Sequence, residues 1–222
     1  MNNISLSSGS FDLERYNSSS KLEVSGKTTL NALNMCGDLN LDIQVEKNAE
    51  FTLNIFDFDE RVKNNIKITS KSNAKVKINI SFIAIHECDV TIDSSIDGVN
   101  IVNDVNIRGI NESAVVNITL NGTATKKCKD SIINEYAKVI NTSDRANTLI
   151  PNLIVNTNEV TANHGVSIGS IDSDALFYLE SKGIDKDSAV KMIEEGFIIS
   201  IMDDDIKDRI RNILLGRWIY EL

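Results

Sequence analysis

Several things are scarce in this chain, and each scarcity removes a class of protein. The three cysteines, Cys36, Cys88 and Cys128, lie far apart with no CxxC spacing, so neither a disulfide framework nor a zinc knuckle is written here. No apolar run approaches the length of a membrane-spanning helix. The opening residues Met1 to Ser20 are rich in Asn and Ser and lack the basic start and apolar stretch of a signal peptide. Acidic residues outnumber basic ones, 32 to 23, for a formal net charge of -9, and a nucleic-acid partner would demand the opposite. No Gly-rich loop runs into Lys-Ser or Lys-Thr, so this chain is not expected to bind a nucleotide in the P-loop manner. The odd cysteine count suits a reducing compartment, and the combined expectation is a soluble, cytoplasmic protein with no membrane and no nucleic-acid partner. At 222 residues it can bury a core without crosslinks.

What is abundant, up to about residue 168, is short alternating segments of Val, Ile and Thr separated by Asn, Asp, Gly and Ser. That is the texture of strands and turns. Related segments recur at Asn48-Ala49-Glu50-Phe51-Thr52-Leu53, at Asn73-Ala74-Lys75-Val76-Lys77-Ile78 and at Ser113-Ala114-Val115-Val116-Asn117-Ile118, each with a small turn residue before an alternating strand. A weak repeat with almost no helix favours a mainly β solenoid, in which each coil covers its neighbour's apolar face, over a β-sandwich. Spacing alone leaves its handedness open.

After Ile171 the pattern turns helical. Asp172 or Ser173 can cap a first turn, Ala175, Leu176 and Leu179 share a face, and Gly183 supplies a stop. Asp185 caps a second helix, with Ala189, Val190 and Ile193 on one side and Gly196 as its expected end. Asp203-Asp204-Asp205 opens a third, striped by Ile206, Ile210, Ile213 and Leu214. So little helix encloses no core of its own, so these stripes, with Trp218, Ile219 and Tyr220, are expected to pack on the solenoid end or on a partner. The expected division is a polar segment at 1–24, a β-helix core at 25–171 and a helical domain at 172–222.

The stretch from Ala162-Asn163-His164-Gly165-Val166-Ser167-Ile168-Gly169 through Asp172-Ser173-Asp174-Ala175-Leu176-Phe177-Tyr178-Leu179 to Ser181-Lys182-Gly183-Ile184 resembles the hallmark of the SufB/SufD family, the non-ATPase subunits of an iron–sulfur cluster assembly machine. The likeness continues to Phe197, and Pro151-Asn152-Leu153-Ile154-Val155 is similar to the family strand that leads into the histidine. The resemblance implies a right-handed parallel β-helix followed by a small C-terminal α-helical domain, in a chain shortened at its N-terminal side. It also implies a scaffold or accessory subunit rather than an enzyme, a SufC-like ABC-type ATPase docked by the C-terminal helices, and pairing with itself or with a second SufB/SufD-like chain. Asp172, Leu176, Phe177, Tyr178, Gly183 and Phe197 are the positions carried across as partner-binding.

His164 is the leading metal-ligand candidate, since a neutral imidazole ligates iron and SufD-type chains place a histidine there. Gly165 is SufD-like, where SufB-type chains have glutamate. The stretch Asn141-Thr142-Ser143-Asp144-Arg145, nearest to the SufB cluster cysteine, has no cysteine. Cys128 sits in Lys126-Lys127-Cys128-Lys129, where positive charge favours thiolate, and is the second candidate ligand for a transient iron–sulfur cluster shared between chains. Cys36 and Cys88 read as buried small hydrophobes, with His86 and Cys88, two residues apart on a strand, as a weak chelating pair. Two other classes compete. A β-helix polysaccharide lyase or hydrolase would carry grouped carboxylates and an aromatic sugar surface, whereas an end-to-end structural solenoid is obstructed if the helices cover one end.

Overall fold

The computed structural model describes the whole chain apart from residues 1, 14–17, 35–36 and 221–222, and the side chains apart also from 37, 59–60 and 217–220. The expectations for Cys36 and for the Trp218, Ile219 and Tyr220 side chains therefore fall outside the described residues. Among the described residues twelve parallel strands are followed by three helices. The strands are β1 (Asn2–Leu6), β2 (Gly9–Asp12), β3 (Ser19–Val24), β4 (Lys27–Leu33), β5 (Gly37–Val45), β6 (Glu50–Lys71), β7 (Lys75–Asp97), β8 (Val102–Asn111), β9 (Val115–Ala124), β10 (Ser131–Asn141), β11 (Asn147–Val155) and β12 (Val160–Gly169). The helices are α1 (Ser173–Ser181), α2 (Lys186–Ile199) and α3 (Asp204–Tyr220).

The molecule is a β-solenoid of about 5 turns. One wall stacks β2, β4, the first half of β6, the first half of β7, β8, β10 and β12. The other stacks β1, β3, β5, the second halves of β6 and β7, β9 and β11. The long strands β6 and β7 each run along both walls, and the register between them shifts near Asp59 and Arg61. Period-two alternation puts one face of the central strands inside, where Leu53, Ile55, Ile78, Ile80, Val105 and Ile107 form one continuous apolar filling. Coil length drifts from 23 residues at Asn31 and Asn54 to 30 at Asp104 and Asn134. This drift blurs the repeat in the sequence.

At one corner Asn48, Asn73 and Asn100 adopt positive φ (64, 61 and 55°). Asparagine tolerates this left-handed turn because its short amide bonds locally. The stacked amides join successive coils, Asn73 Nδ2 donating to Asn48 Oδ1 at 2.8 Å and Asn100 Nδ2 to Asn73 Oδ1 at 3.3 Å. The first two sequence repeats thus stack directly, Glu50 opposite Lys75. The third does not join them, because Val115 lies opposite Glu87 on the other wall.

Three expectations need correction. The polar segment 1–24 is not separate from the solenoid, since β1, β2 and β3 lie within it and extend the sheet; their inward positions Leu6, Leu22 and Val24 are apolar, which suffices for a first coil. Gly196 does not end the second helix, which runs on to Ile199 because Ile198 and Ile199 are buried and packing outweighs a glycine's modest helical penalty. Nor do the helices cover the solenoid end. Ile198, Ile199, Met202, Ile206, Ile210 and Leu214 pack on the flank, against Phe56, Ile83 and Ile110 from three successive coils. Polar contacts reinforce this seat: Ser81 Oγ donates to the Ile198 carbonyl at 2.7 Å, and Lys77 Nζ meets Asp203 Oδ1 at 2.8 Å.

Candidate functional site

Because the helices lie on the flank, the C-terminal end of the solenoid is open. Among the described residues β11 pairs with β9 alone and β12 with β10 alone, so both are edge strands, and Pro151, which has no N–H to donate, sits on one of them. The inward positions of this last coil are only partly covered, with Leu149, Leu153 and Val166 half-buried and Val155 and Ile168 exposed. His164 belongs to the same inward row, alternating with Asn163 and Gly165, and is exposed because no coil follows.

Directly in register beneath His164, on β10, stands Glu135. Its side chain is fully buried, and among the described residues neither carboxylate oxygen has a hydrogen-bond partner. The space for it comes from Gly122, where a Cβ would lie 2.7 Å from Glu135 Oε2 and 2.6 Å from Leu153 Cδ1. Burial pushes this carboxyl up to about 7. Sequence reading passed over Glu135, although strand parity marks it: it alternates in phase with Ile133, Ala137 and Val139, all buried.

Cys128 is not exposed, contrary to the expectation from its lysine neighbours. It is buried among Ile96, Ile101, Ala124 and Ile133, its Sγ donating to the Ile96 carbonyl at 3.1 Å, because the turn folds its side chain inward while the lysines face water. Lys127 and Lys129 pair instead with Asp97 (3.4 Å) and Glu159 (3.8 Å). Cys88 is buried as expected, and burial, aided by Asp89 and Asp57, pushes its thiol up, away from the thiolate a metal needs. His86 is exposed although it lies two residues from Cys88, since alternation breaks at the bend near Ile85. Among the described residues no three His, Cys, Asp or Glu side chains are grouped to hold a metal.

The expected partner-binding residues lie on or beside α1 and α2. Asp172 caps α1, its Oδ1 accepting from the Asp174 and Ala175 amides at 2.9 and 3.2 Å. Gly183, at φ 87°, closes it: the Gly183 amide donates to the Glu180 carbonyl and the Ile184 amide to that of Leu179, the paired bonds of a left-handed helix cap. None of α1 is buried. Phe177 and Tyr178 stand 73% and 59% exposed, while Leu176 is half-buried. Phe197, half-buried on α2, faces the sheet, with Arg108 and Lys138 over its ring. No helix among the described residues is long and apolar enough to cross a membrane.

Comparison with known proteins follows this geometry. The family model for the SUF system FeS cluster assembly SufBD core domain matches residues 34–197. The chain is similar to the iron–sulfur cluster assembly protein SufD of Bacillus subtilis, 35% identical over 54 residues, 24% of this chain and 12% of that protein. A SufBD family protein of Mycobacterium leprae is 32% identical over 74 residues, 33% of this chain and 19% of its own length. Protein ABCI7, chloroplastic, of Arabidopsis thaliana is 26% identical over 98 residues, 38% of this chain and 21% of its own. The aligned regions thus span 12% to 21% of these curated relatives.

Proposed function

Since the chain belongs to the SufB/SufD family of iron–sulfur cluster assembly proteins, we propose that it acts as a non-catalytic cytoplasmic subunit that docks an ABC-type ATPase through α1 and α2. The observation that carries this reading is α1 itself. A nine-residue helix with no buried residue gains little from packing, yet it is capped at both ends and presents Phe177 and Tyr178 to solvent. Exposed aromatics on a preorganised helix are the composition of an interface hot spot. ATP hydrolysis in this reading belongs to the partner. The test is a pull-down with a purified SufC-type ATPase. Phe177→Ala/Tyr178→Ala is expected to reduce capture ten-fold or more with an unchanged circular dichroism spectrum, and undiminished capture would remove α1 from the interface. Deleting 172–222 is the poorer experiment, because it would also strip Phe56, Ile83 and Ile110 of their cover.

The open end supports a second part of the proposal, pairing with another copy or with a second SufB/SufD-like chain. Two unpaired edges and a half-covered apolar row invite sheet extension. The cluster itself is cargo, and the donor set fits only a shared one. His164 is the accessible donor at this end, Cys128 is buried, and a cluster ordinarily needs several thiolates, so a second chain must supply the rest. Anaerobic reconstitution with the ATPase, followed by light scattering with absorbance detection, is expected to place visible absorbance in a species whose mass accounts for two copies of this chain together with their docked ATPase. His164→Ala should keep that mass and lose most of the absorbance. Equal absorbance in His164→Ala would make the histidine purely structural.

A further inference from the structure

Charges on the outside of this solenoid alternate in sign from coil to coil. Lys21 lies opposite Asp42, Asp42 opposite Lys67, and Lys67 opposite Asp93. Glu50 sits between Lys27 and Lys75, at 3.6 and 3.4 Å. Lys63 is flanked by Asp38 and Asp89, and Lys77 lies opposite Asp104. The pattern has a physical basis. Neighbouring parallel strands are only about 4.8 Å apart, so side chains in register meet, and like charges there are destabilising.

One pair of register partners breaks the rule. Arg108 on β8 lies directly opposite Lys138 on β10, and the next position outward is Ser167 on β12. Among the described residues neither cation has a carboxylate within 4.0 Å. Arg108 donates to the Ile107 carbonyl at 3.0 Å, and both heads lie over the Phe197 ring, 5.7 and 5.9 Å from its centroid. Arg108 is half-buried, and the loss of water depresses its affinity for its proton. A groove opens beside the pair, bounded by Asn106, Tyr136 and Ser167 and floored at Gly165. The Tyr136 ring crosses Gly165 so closely that a Cβ there would lie 3.2 Å from it. Two cations with no carboxylate partner among the described residues thus stand side by side at this groove, Arg108 half-buried and Lys138 exposed, on a protein of formal charge -9.

We propose that the groove between Arg108 and Lys138 binds an oxyanion, a phosphate or carboxylate group, which bridges the two cations and accepts from the Tyr136 and Ser167 hydroxyls. A guanidinium presents a planar fork to such a group and an ammonium adds a point charge, so one oxyanion satisfies both. The aromatic face alone is the weaker partner, since each cation–π contact of this kind contributes about 0.5–1 kcal/mol. The site lies on the outward face of the strands, opposite in parity to the inward-facing His164, and adjoins Phe197 on α2 and Ser167 on the β12 edge; oxyanion binding by the chain alone, without ATPase or cluster, separates it from the assembly role.

Heat unfolding of the full chain, followed by circular dichroism in 10 mM inorganic phosphate, in citrate and in chloride of matched ionic strength, tests this. The wild-type midpoint is expected to rise by about 2 °C or more in phosphate or citrate over chloride, as ligand binding to the folded state requires. The larger of the two increments identifies the phosphate or the carboxylate as the preferred group. Lys138→Gln should abolish the increment, and in chloride its midpoint should equal or exceed that of wild type because a like-charge contact has been removed. No oxyanion-specific rise in wild type, an increment that survives in both Lys138→Gln and Arg108→Gln, or a lower midpoint for Lys138→Gln in chloride would each overturn the site, leaving the pair as an anchor for Phe197.

Discussion

Phe82→Ala is expected to destabilise the protein by about 3–5 kcal/mol, the range for removing a fully buried aromatic ring. Phe82 is completely covered inside the solenoid and lies in register with Gly109 on the next coil. The ring occupies the place where a Cβ on residue 109 would be, so the two positions were fitted to one another. Gly109→Ala by itself should cost roughly 1–3 kcal/mol through overpacking against a core that has no slack. Combining it with Phe82→Leu should be less destabilising than the sum of the single changes, since a smaller side chain clears the added methyl. Urea unfolding of wild type, Phe82→Ala and the three variants of the cycle measures this. A Phe82→Ala loss below about 1 kcal/mol, or strict additivity in the cycle, would show that the coil interior is loosely filled here.

Wild-type stability is expected to fall as pH rises from about 4.5 to about 7, and Glu135→Gln to remove that fall. The group responsible is buried with both oxygens unpartnered, and its folded pKa of about 7 lies above the ordinary 4.5. A carboxyl whose pKa is raised by folding favours the folded state most at low pH. Its contribution is complete below the unfolded value and is lost as pH climbs through the folded one. The separation corresponds to at most about 3 kcal/mol above neutral pH. Glu135→Gln, a neutral isostere of the protonated form, should therefore match wild type near pH 4.5 and exceed it by up to that amount at pH 8. Denaturant midpoints at the two pH values give the answer. A variant no more stable than wild type at pH 8 would mean that the carboxylate finds a partner when ionised.

The strands were legible because alternation is strict where one face is sealed, as in Val76, Ile78 and Ile80, and the helices because Asp172, Asp185 and Gly183 are caps that act locally. The candidate site was less so. His164 was visible through its motif, but its chemical setting was not. Glu135 lies twenty-nine residues earlier, and only the register of β10 against β12 brings it beneath the histidine. Cys128 was misread because three flanking lysines describe the chain's charge at that point and say nothing of which way one side chain turns. The intended metal pair was thereby reduced to a single exposed donor.

By itself the sequence determined the strand texture of the central chain, the starts of the three helices and the absence of an encoded phosphate loop, and it favoured a solenoid over a sandwich, since these depend on residue type and on spacings of a few positions. Tertiary structure decided which repeats stack, that the helices lie on the flank and leave the end open, and that Arg108 meets Lys138. Those outcomes depend on coil length, which varies from 18 to 31 residues between register partners, so a change of a few residues in any turn alters what lies opposite what. Local propensity carries no record of that offset; it is set when each coil seats its apolar row on the one before.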